Sequence, residues 1–67
     1  MTPEKAVYII RSLVDEYGIS QSTMAKHLDM SRGGFIKVYN GQSRPSTAFV
    51  VNASKLIRRI RMEVSNG

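Results

Sequence analysis

Four small hydroxyl residues, Thr2, Ser20, Ser31 and Ser46, each stand just before a run of helical periodicity, and the first three runs close on Gly18, Asp29 and Asn40-Gly41. A Ser or Thr oxygen in that place accepts a hydrogen bond from a backbone N–H of the first turn, and a residue that tolerates a left-handed backbone stops the helix. Such punctuation predicts a succession of short helices.

Thr2-Pro3-Glu4 opens the first helix, with Pro3 at the first helical position, where its missing N–H costs nothing, and Glu4 at the positive helix end. Ala6, Ile10, Leu13, Val14 and Tyr17, widened by Ile9, form its inward stripe, while Lys5, Arg11, Ser12, Asp15 and Glu16 fall mostly on the other face. A second helix from Gln21 to about Leu28 turns Met24, Ala25 and Leu28 inward. After the link Asp29-Met30-Ser31, a third runs from Arg32 to about Asn40, with Phe35 and Val38 inward, Tyr39 flanking, and Arg32, Gly33, Ile36, Lys37 and Asn40 outward. Gly41 to Pro45 reads as a polar loop, and Ser46 caps one long last helix carrying Phe49, Ala53, Leu56, Ile57, Ile60 and Val64. The expected fold is all-α, one domain over residues 1–67, a compact four- or five-helix bundle. Phe49-Val50-Val51 has strand propensity, so C-terminal strand pairing is the structural alternative.

A chain of 67 residues holds one small core, and without cysteine it has neither a disulfide framework nor a thiolate zinc site. Packing must supply the stability, alone or together with a partner subunit. The apolar runs Ala6 to Ile10 and Ala48 to Val51 fall far short of the roughly 20 residues of a membrane span. The N-terminus lacks a signal-peptide pattern, so the expected compartment is the cytoplasm. Catalysis is not expected: His27 is the one histidine and reads as a solvated surface residue, and the adjacent Asp15 and Glu16 point in different directions on a helix. Scattered carboxylates give no metal cluster, and no cofactor or small-molecule ligand is expected.

The net charge of +5 is unevenly placed. Residues 1–17 sum to −1, whereas residues 18–62 carry eight Lys and Arg against Asp29 alone, a net +7. A segment so poor in acid attracts polyanions, because each cation that neutralises a phosphate releases a condensed counterion. Charge of this kind also serves solubility. Two short helices joined by a tight link, the second rich in outward polar groups, supply the scaffold that turns attraction into recognition: a helix-turn-helix over about residues 20–40.

From Gly18 to Ser46, with Ala53 and Leu56 beyond, the chain resembles the Cro and repressor (XRE-like) helix-turn-helix family, whose fold is lambda-repressor-like. The resemblance rests on Ser20-Gln21, Met24-Ala25, Leu28, Met30-Ser31-Arg32, Phe35, Val38, Asn40-Gly41 and Arg44-Pro45-Ser46. Asp29 stands where the family usually has a turn glycine, Gly33-Gly34 where it has Ser or Thr, and Tyr39 where Glu is frequent. Asp tolerates a left-handed backbone. The two glycines weaken the start of the third helix, either as a tolerated flaw, as a place for close approach to DNA, or as a segment that orders on binding.

The resemblance implies that Arg32, Gly33, Ile36 and Lys37 face base edges, with Arg32 forking onto guanine and Ile36 touching a thymine methyl. It implies backbone contacts from Gln21, Ser22, Ser31, Asn40, Gln42, Ser43 and Arg44. Lys55, Arg58 and Arg61 share a helix face that either reaches phosphates or is merely solvated. The apolar excess at Ile57, Ile60 and Val64 suggests a dimer seam. The function expected is therefore that of a phage or prophage Cro-like repressor, bound as a homodimer to a palindromic operator in double-stranded DNA on the bacterial nucleoid. Repression is inferred from size, because a chain without a ligand domain can act most simply by occluding a promoter. The alternatives are a small protein-binding module, inhibitor-like or antitoxin-like, and a nonspecific DNA-binding protein.

Overall fold

The computed structural model describes residues 1–66, with side chains described as far as residue 61. Four helices follow one another: α1 (Pro3–Tyr17), α2 (Gln21–His27), α3 (Arg32–Tyr39) and α4 (Thr47–Asn66). No strand occurs among the described residues, and Phe49-Val50-Val51 lies in the first turns of α4. The β-branched pair at 50–51 is overridden because Ser46 Oγ accepts from the Phe49 N–H at 3.1 Å, and Phe49 enters the core.

Every expected cap forms. Thr2 Oγ1 accepts from Lys5 N, Ser20 Oγ from Thr23 N and Ser31 Oγ from Gly34 N, each at 3.1 Å. Stops are equally local. Gly18 (φ 62°), Asp29 (φ 56°) and Gly41 (φ 79°) all follow a helix end in the left-handed region. After α2, the Met30 N–H returns to Ala25 O at 3.0 Å and the Asp29 N–H to Lys26 O at 3.1 Å. After α3, Gln42 N donates to Lys37 O at 2.8 Å and Gly41 N to Val38 O at 3.2 Å. Both are Schellman closures, which satisfy carbonyls that a helix end would otherwise leave open. The expected bounds at Leu28 and Asn40 each shorten by one residue, because both residues serve as C-caps.

All four helices feed one core. Ala6 and Ile10 from α1, Met24 and Ala25 from α2, Phe35 and Val38 from α3, and Phe49, Ala53 and Leu56 from α4 are buried together with Leu28. Ala6 and Ala53 are fully covered, so a longer side chain at either position would overpack the core. No polar or charged residue is buried among the described residues. One inward assignment shifts. Leu13 and Val14 pack half-buried against the core as expected, whereas Tyr17 is 55% exposed, because α1 ends there and the ring projects past the edge of the core.

Candidate nucleic-acid interface

The link between α2 and α3 is Leu28 to Ser31, four residues, the length a helix-turn-helix requires. Its shape follows from two adjacent devices. The left-handed Asp29 closes α2, and two residues later Ser31 begins α3. Met30 between them packs against the core and ties the turn down. A further restraint comes from α4, where Asn52 Nδ2 donates to Leu28 O at 2.9 Å.

With Phe35 and Val38 buried, the opposite face of α3 is fixed toward solvent. Arg32, Gly33, Lys37 and Asn40 are exposed, as the sequence periodicity expects, and Gly33 and Lys37 are one helical turn apart. Ile36 is half-buried rather than outward, since a flank position on so short a helix is partly covered by its neighbours. An α-helix with its side chains is about 10–12 Å across, which the roughly 12 Å width of the DNA major groove admits.

The residues expected at the DNA backbone are mostly accessible. Ser22 at the start of α2, Ser31 at the start of α3, and Asn40, Gln42, Ser43 and Arg44 after it are exposed; Gln21 is half-buried. The loop beyond α3 is not free to wander, because the N–H groups of Gln42 and Ser43 both donate to Lys37 O, at 2.8 and 3.2 Å. That anchor holds Arg44 near the C-terminal end of α3. Ser31 has its oxygen committed to the Gly34 N–H, so its hydroxyl proton is the part left for a phosphate. Lys55, Arg58, Arg59 and Arg61 are exposed along α4.

The dimer seam needs correction. Ile57 is 7% exposed within a single chain, so it belongs to the interior and not to a contact surface. The fourth helix turns it inward beside Leu56 and Ala53, which the apolar count alone could not separate from an outward stripe. Ile60 is half-buried and lines a groove of about 420 Å³ with Tyr17, Ile19, His27 and Arg59, above Met24 and Leu56. His27 is exposed at that rim. Val64 lies outside the described side chains.

No known protein family, curated protein or solved structure matches this chain. Its own chemistry carries the reading. Among the described residues no three His, Cys, Asp or Glu side chains gather as a metal would require, and no helix is long and apolar enough to cross a membrane.

One contact was invisible to periodicity, and it builds on an ordinary i, i+4 aromatic pair of α3. Arg11 of α1 lies over the ring of Tyr39 at 5.2 Å, and that ring meets Phe35 at 5.7 Å, tilted by 48°. Tyr39 thus ties α1 to the end of α3. The signal in the sequence was an aromatic where the resembled family often has Glu, but its partner lies 28 positions earlier.

Proposed function

We propose that this chain is a sequence-specific DNA-binding transcriptional regulator, a Cro-like repressor that binds a palindromic operator as a homodimer in the bacterial cytoplasm. The observation that carries the reading is the exposed face of α3, where Arg32, Gly33, Lys37 and Asn40 stand opposite the buried Phe35 and Val38. Arg32 reads a base edge through its planar fork, Lys37 reads guanine or holds a phosphate, and Arg44 with its loop sets register on the backbone. The charge distribution supports it, since residues 18–62 hold a single acid. Binding requires no cofactor. The dimer contact is assigned to Ile60 and the groove it lines, and not to Ile57, which the chain itself covers.

Selection of bound duplexes from a random pool at about 150 mM salt tests the proposal, because nonspecific attraction is then partly screened. The expected product is an inverted repeat with half-sites about 34 Å apart. Binding without enrichment would replace it by sequence-blind DNA coating, and absence of binding would replace it by a protein-binding module.

A further inference from the structure

Gly33 and Gly34 stand side by side in the first turn of α3, and the structure separates their roles. A side chain at Gly34 would bring its Cβ within 3.1 Å of Ser31 Oγ, the oxygen that caps the helix, and within 3.8 Å of Met30 Cε. A side chain at 34 would thus require Ser31 Oγ to give by a few tenths of an ångström. At Gly33 a Cβ would meet nothing within 4 Å, and its backbone is not left-handed. Neither space nor conformation within this chain asks for glycine there, yet glycine weakens a helix relative to almost any other residue.

We infer that the missing side chain at Gly33 makes room for DNA: its bare Cα is the point where the α3 backbone comes closest to the duplex, and so it sets how deeply Arg32 and Lys37 reach. The inference rests on the proposed function and adds a steric determinant to it. Gly33 is exposed, adjacent to Arg32 and one turn from Lys37 on the same face. Carbon atoms in contact sit about 3.5–4.0 Å apart, so a methyl group there would hold the helix off by on the order of an ångström. Hydrogen bonds usable only between about 2.7 and 3.2 Å would then be lost on both sides of it.

The test compares wild type with Gly33→Ala and Gly33→Leu, both better helix formers, in thermal melting and in binding to a mixed-sequence duplex of about 30 base pairs and to any duplex enriched by selection. Both variants are expected to melt several degrees higher than wild type. Their affinity for the enriched duplex is expected to fall, by about fivefold for alanine and further for leucine. Opposite signs in the two measurements separate room for DNA from a mere flaw in the helix. Wild type that binds neither duplex would overturn the proposed function and this inference with it. Wild type that binds while both variants bind as well or better would overturn this inference alone. Lower melting temperatures in both variants would also overturn it, since the glycine would then serve the fold.

Discussion

The side-chain amide of Asn52, in α4, donates to the backbone carbonyl of Leu28 at 2.9 Å, across 24 residues of sequence. The acceptor belongs to the C-cap of α2, where carbonyls lack intrahelical partners. Asn52→Ala should therefore cost about 1 kcal/mol and lower Tm by about 4–8 °C, measured by thermal unfolding. Amide exchange at Asp29 and Met30 should accelerate in the same variant. An unchanged midpoint would show the bond to be replaceable by water.

Arg11 over Tyr39 links α1 to the C-terminal end of α3. Arg11 is exposed, so the contact is worth about 0.5–1 kcal/mol. A double-mutant cycle with Arg11→Ala and Tyr39→Leu should return a coupling of about 0.5 kcal/mol by urea denaturation. Additive losses would mean that the guanidinium contributes only its solubility.

Asp29 combines a left-handed backbone with the one negative charge of residues 18–62. The two properties can be separated. Asp29→Asn keeps a residue that tolerates φ of 56° and should leave Tm nearly unchanged while tightening binding to duplex DNA. Asp29→Ala removes the charge but strains the turn, at about 1 kcal/mol of stability. If Asp29→Asn binds no more tightly than wild type, the charge at the turn does not face DNA.

Arg32 and Arg44 are both exposed, but one opens α3 and the other lies in the loop beyond it. In selections repeated with each variant, Arg32→Ala should relax preference at one base pair by about 1–3 kcal/mol, whereas Arg44→Ala should weaken all sequences alike and flatten the salt slope by about one. Equal loss on preferred and random duplexes for Arg32→Ala would remove its assignment as a base reader.

Ile57 and Ile60 are three residues apart on α4, one covered within the chain and one at the groove. Ile57→Ala should destabilise the fold by about 2 kcal/mol or more at every protein concentration. Ile60→Ser should act chiefly on self-association, read by sedimentation with and without operator-length DNA. A concentration-dependent loss for Ile57→Ala would return that residue to the dimer contact.

Helix boundaries were legible in the sequence because each depends on chemistry within a few residues: a hydroxyl ahead of a first turn, or a glycine or aspartate behind a last one. Burial of Phe35, Val38, Phe49 and Ala53 was legible for the same reason, as periodicity along one helix. What escaped were relations between helices. The exposure of Tyr17, the reach of Asn52 to Leu28 and the stacking of Arg11 on Tyr39 are decided by crossing geometry, which one-dimensional spacing does not encode. The outward face of α3 was readable, but the difference between Gly33 and Gly34 appeared only once Ser31 Oγ had a position.

The local character of these caps and closures also bears on time. Three of the four helices have both their start and their stop written in adjacent residues, so segments of nearly native length can flicker into existence in the unfolded chain before any of them meets another. Helix growth takes about nanoseconds per residue and domains dominated by local contacts fold in microseconds to milliseconds. Ordering of these four helices is therefore fast against their synthesis at about 5–20 residues per second, so folding adds no lag before the core they share is in place.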